Sequence, residues 1–121
     1  MSVLLRPLAA LLLLGALASP AFAHALLRKA EPGVGSTVHP APTSVTLTFS
    51  EGVEPAFCRI DVTNAAGARV DLGNPMLVGG NQKELRVALK PLAAGTYTVE
   101  WHATSVDTHK TEGKFTFSVT P

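Results

Sequence analysis

The chain carries a single cysteine, Cys58, in 121 residues, so no disulfide can form within it. Small exported domains often rely on such cross-links. Here the fold must rest on its apolar core, which one domain of this length can build. Charge of one sign is equally scarce. Ten Lys and Arg face nine Asp and Glu, with no basic patch or tail, so nucleic-acid binding has no electrostatic support. Methionine is nearly absent, with two in the chain including the initiator. Beyond the first 23 residues no apolar run is long enough to cross a membrane. There is also no amphipathic helical stretch of useful length, no repeat and no low-complexity linker.

The first segment stands apart. Met1–Arg6 supplies a short, singly charged start, and Leu8–Ala18 is an unbroken run of apolar and small residues. Pro20 and then Ala21-Phe22-Ala23 match the small-x-small rule of a secretory cleavage site. The alternative is an uncleaved membrane anchor, but spanning takes about 20 residues and the run is shorter. The reading is therefore a signal peptide, residues 1–23, followed by one mature domain, residues 24–121. That domain is expected to be soluble and exported, with zero formal charge once Arg6 is gone.

Past that point, apolar residues alternate with polar ones. Val45, Leu47 and Phe49 set the pattern, and Cys58, Ile60 and Val62, Leu85, Val87 and Leu89, Tyr97, Val99 and Trp101, and Phe115, Phe117 and Val119 repeat it. Period two marks strands with one face in the core. Pro32-Gly33, Pro40-Ala41-Pro42, Asn64–Gly67, Gly79-Gly80-Asn81 and Ala94-Gly95 supply turns between them. Short strands between frequent turns predict an all-β antiparallel sandwich or barrel. Leu26-Leu27 is expected to open an edge strand. Asp71–Asn81 reads as a loop with at most one short strand. Tyr97, at a strand start after a corner, is either an immunoglobulin-type tyrosine corner or an ordinary core residue.

Two pieces of sequence carry chemistry. Cleavage after Ala23 makes His24 the first residue. Its α-amine and imidazole can then chelate one metal, whereas in the uncleaved chain that nitrogen is an amide. Near neutral pH a metal can displace both protons. The second piece is Ser105-Val106-Asp107-Thr108-His109. In an extended chain, residues two apart point to the same side, so Asp-x-His would present a carboxylate and an imidazole together. An amine, two imidazoles and a carboxylate favour tetragonal Cu(II). Zn(II) is the competitor but prefers tetrahedral sites, and Ca(II) and Mg(II) want more oxygen ligands.

The chain also resembles the CopC family of periplasmic copper-binding proteins. The resemblance starts at His24-Ala25 and takes in Ala30-Glu31-Pro32, Leu47-Thr48-Phe49-Ser50-Glu51 and Leu92–Trp101. It continues through Ser105-Val106-Asp107-Thr108-His109 to Phe115-Thr116-Phe117. It implies a small Greek-key β-sandwich or barrel, cupredoxin-like in type. It further implies one Cu(II) per chain, held by His24 through amine and imidazole together with Asp107 and His109. Glu51 matches an acidic position near the family's copper site, and it is either an outer-shell group or a solvated charge. Some members bind Cu(I) through a methionine-rich loop. This domain has only Met76, so no Cu(I) methionine site is expected. The implied role is a copper carrier or buffer in copper resistance or homeostasis, not an enzyme, passing metal to an inner-membrane transporter of the CopD type.

Two other functions compete. A copper oxidase or monooxygenase can also be built on an N-terminal histidine brace, although an anionic Asp107 should favour Cu(II) and hamper redox cycling. A metal-free sandwich for structure or adhesion would be indifferent to any residue placed before His24. His39 and His102 read as surface histidines. Cys58 reads as a buried small hydrophobe and Trp101 as core. No Ser-His-Asp order or carboxylate pair suggests a hydrolase.

Overall fold

A computed structural model describes residues 24–121; the segment read as a signal peptide lies outside the described residues. The strands are β1 (Leu27–Glu31), β2 (Thr37–Val38), β3 (Ser44–Phe49), β4 (Arg59–Thr63), β5 (Met76–Val78), β6 (Asn81–Ala88), β7 (Gly95–Thr104) and β8 (Lys110–Val119). One 3-10 turn, Pro55–Phe57, is the only helical element among the described residues. The strands form two four-stranded sheets, ordered β1-β3-β6-β5 and β2-β8-β7-β4.

Each alternating run buries its apolar face between the sheets. Leu47, Phe49, Ile60, Leu85, Val99 and Phe117 are all within 2% of complete burial. Removing that much apolar surface from water is the main favourable contribution to folding in a domain held by no disulfide. Alternation fails at Thr104, buried beside Ala103 at the end of β7, and at one residue of β3. Thr46 is buried as well, because β3 is an interior strand between β1 and β6 and Arg86 lies across it, donating Nε–H to Thr46 Oγ1 at 2.9 Å.

Only β5–β6 and β7–β8 are consecutive strands paired with each other; every other connection carries the chain to the opposite sheet. Most pairs are antiparallel, as expected, but β2 runs parallel to β8 through Thr37↔Ser118 and Val38↔Val119. Two residues are too few to show period two, so β2 left no signal in the sequence. Tyr97 is a tyrosine corner, its hydroxyl donating to the Ala93 carbonyl at 2.6 Å. Trp101 packs edge-on against Phe49, with centroids 5.3 Å apart. β1 begins at Leu27, and within the irregular stretch only β5 is regular. Asp71 anchors that stretch: its buried carboxylate accepts from the amides of Val62 and Gly73 and from the Arg69 guanidinium.

Candidate metal centre

The Asp-x-His segment is the loop of the β7–β8 hairpin. Ser105 closes it: its amide donates to the His109 carbonyl at 2.9 Å, and the Thr108 amide donates back to the Ser105 carbonyl at 2.8 Å. Thr108 has φ of 72°, in the left-handed region that a β-branched residue rarely occupies. The segment is therefore a tight turn and not extended chain. Strand alternation, the reason first given for Asp107 and His109 sharing a side, does not operate here. The turn joins them instead, with Asp107 Oδ1 3.1 Å from His109 Nδ1.

Ser105 organises this loop from within. Its side chain is fully buried, donates its hydroxyl to the Asp107 carboxylate and accepts from the His109 amide at 3.1 Å. A hydroxyl has one proton, and the ionised carboxylate is the stronger acceptor for it. The Ser105 hydroxyl, and then the His109 ring, hold the Asp107 carboxyl below the usual carboxylate range.

The other end of the described chain arrives at the same place. Ala25 is completely buried, while His24 is exposed. The imidazoles of His24 and His109 lie with centroids 5.0 Å apart and planes tilted by 53°. The loop after β3 joins the two halves. The Leu26 amide donates to Ser50 Oγ at 2.9 Å, and the Val106 amide donates to the Gly52 carbonyl at 3.0 Å. Glu51 lies between those two contacts, partly buried.

Both distances suit a shared metal. Metal–nitrogen bonds of about 2 Å set the centroids of two rings on one ion about 4.5 to 6.4 Å apart, depending on the bond angle. The observed 5.0 Å falls inside that range. The 3.1 Å between carboxylate and imidazole is also the spacing of adjacent ligand atoms around such an ion. Among the described residues, however, no three His, Cys, Asp or Glu side chains converge into a ready-made cage.

A family profile, the CopC domain, matches residues 27–120. The chain belongs to the CopC family. Among relatives of this CopC domain, protein YobA of Escherichia coli K12 is 42% identical over 99 residues, covering 81% of this chain and 80% of that one. The copper transport protein CutJ of Bacillus subtilis is 38% identical over 110 residues, covering 90% of this chain but 20% of its own length. The crystal structure of PcoC, a methionine-rich copper resistance protein from Escherichia coli, matches with a TM-score of 0.70. It is 32% identical and covers 81% of this chain and all of that one. The match confirms the β-sandwich expected from the alternating runs.

The remaining candidates of this CopC domain sit elsewhere. His102 lies on the outer face of β7, near Glu100 and Glu112 at 3.2 and 3.4 Å. His39 Nδ1 is 3.2 Å from the Thr120 carbonyl. Cys58 is half-buried and not a core residue as its parity suggested. It falls just before β4, beside Thr104, whose amide donates to its sulfur at 3.4 Å, and burial pushes its thiol pKa up. Sequence reasoning missed Ser50 and gave Ser105 no role at the site. Ser50 acts on residues 24 and 26, far back along the chain, which no local pattern encodes, whereas Ser105 acts inside its own loop, on Asp107 two residues on and His109 four residues on.

Proposed function

We propose that this chain, trimmed after Ala23 and exported to the periplasm, is a copper-binding carrier or buffer of the copper resistance or homeostasis type. It takes one Cu(II) through the amine and imidazole of His24, with Asp107 and His109 completing the set. The observation that carries this reading is the 5.0 Å approach of the His24 and His109 rings from opposite ends of the mature domain. Chemistry supports the choice of ion, because nitrogen-rich ligation with one carboxylate favours Cu(II). Glu51, on the loop that joins the two halves, is proposed as an outer-shell group.

A single thioether, Met76, is too few soft donors for a separate Cu(I) site. Copper is cargo in this reading, and an inner-membrane transporter of the CopD type is the proposed recipient. The similarity of this domain to one fifth of a copper transport protein supports that pairing.

The test is a Cu(II) titration of the chain beginning at His24, against a competing chelator. One tight equivalent is expected, lost or greatly weakened in His109→Ala and in a chain with one extra residue before His24. Full-affinity binding by the extended chain would refute the ligand set. Sustained oxygen consumption with a reductant would favour the histidine-brace enzyme instead. The mass of the exported protein tests the cleavage point.

A further inference from the structure

We infer that Ser50 and Thr111 are positioning residues that clamp the new N-terminus from both sheets and aim residue 24 at the Asp107–His109 loop. The inference rests on the copper reading for what that aim serves. The clamp itself is a matter of hydrogen bonds. Ser50, just past the end of β3, donates its hydroxyl to the His24 carbonyl at 3.0 Å and accepts from the Leu26 amide at 2.9 Å. Its own amide donates to the Leu26 carbonyl at 2.8 Å. From the other sheet, Thr111 on β8 donates its hydroxyl to the Ala25 carbonyl at 2.7 Å. Two consecutive carbonyls are thus held by side chains of opposite sheets, and the Ala25 methyl is buried between them.

A chain end ordinarily frays. Holding the His24 carbonyl fixes the peptide plane that follows residue 24. The nitrogen and the Cβ of that residue can then move only by turning together about the Cα–C bond, and the ring by its own side-chain torsions. The chelating pair is thus restricted to a few torsions, and Thr111, which holds Ala25, lies two residues past His109 in the chain. Ordering one residue costs the equivalent of about five- to thirtyfold in affinity. An unclamped terminus would spend that on binding the ion.

The experiment compares Ser50→Ala, Ser50→Thr and Thr111→Val with wild type, all beginning at His24. Cu(II) affinity is read by chelator competition, the ligand field by electron paramagnetic resonance, and the Leu26 amide of the metal-free protein by hydrogen exchange. Ser50→Ala and Thr111→Val are expected to bind about five- to thirtyfold more weakly, with the copper spectrum spread over more than one species. Ser50→Thr is expected to restore both. The Leu26 amide should be protected in wild type and exchange faster in Ser50→Ala. Wild-type affinity in both Ser50→Ala and Thr111→Val overturns the inference. If wild type binds no Cu(II), the copper reading fails by itself, and the metal-free protein decides the clamp. Faster Leu26 exchange with loss of His24–His109 ring proximity in Ser50→Ala upholds it; unchanged exchange and proximity overturn it.

Discussion

The buried hydroxyl of Ser105 donates to the carboxylate of Asp107, so the exposed acid of the hairpin loop is aimed by a side chain beneath it. Carboxylates and imidazoles that bind metals are commonly oriented by such outer partners. Ser105→Ala should therefore weaken Cu(II) binding by about 10- to 100-fold, measured by chelator competition, with the fold retained by circular dichroism. Unchanged affinity would show that the turn alone orients Asp107.

The same contact sets the response to acid. Because the Ser105 hydroxyl and then the His109 ring depress the Asp107 pKa, this carboxylate stays ionised below the ordinary Asp value of about 3.9. Its contribution to stability is present above that value and is lost as pH falls through the lower folded one. On the proposed ligand set, Asp107 is already ionised between about pH 8 and 5 and takes up no proton there. Asp107→Asn should lower affinity but leave the slope of affinity against pH unchanged over that interval. A shallower slope in the variant would assign a titrating proton to Asp107.

Gly113 lies under the Trp101 indole, its cross-strand partner. A Cβ placed there would sit 2.6 Å from Cζ2 and 2.8 Å from Nε1 of the ring. Trp101 is itself packed against Phe49, so it has little room to retreat. Gly113→Ala should cost about 1–3 kcal/mol through overpacking, read as a lower urea midpoint with an unchanged slope. A midpoint equal to wild type would mean that the indole moves freely.

Asp71 joins the irregular segment to β4. Burial pushes its carboxyl up, but hydrogen bonds from Arg69, Val62 and Gly73 outweigh that and leave it below the usual range. Its stabilisation is therefore present above about pH 3.9 and lost as pH drops through the folded value. Asp71→Ala should cost about 1–3 kcal/mol at pH 7, since the Val62 amide loses its partner. The difference from wild type should shrink in acid. A penalty that is the same at pH 7 and pH 3 would exclude the charge as its source.

Much of the framework could be read directly along the chain. Strands β3, β4, β6, β7 and β8 announce themselves because burying one face imposes period two on consecutive residues. Tyr97 offered a corner as one of two readings because its position after Ala94-Gly95 is local, and its bond to the Ala93 carbonyl decided between them. The residue types of the proposed donors were legible too, since ligand chemistry belongs to residue identity: a histidine at the expected cleavage point and an Asp-x-His late in the chain. Their mutual geometry was read for the wrong reason. The spacing at Asp107 and His109 suggested an extended strand, whereas the backbone turns at Thr108.

Residue identity and local period thus determined the fold class, the number of strands long enough to show alternation, and the donors on offer. The tertiary structure alone decided that His24 meets His109, that Ser50 and Thr111 hold the intervening backbone, and that β2 lies parallel to β8. Those contacts join segments far apart along the chain. They follow from which sheet edges pair and how two sheets stack, and a hydroxyl that bonds a distant carbonyl leaves no periodic trace in the order of residues.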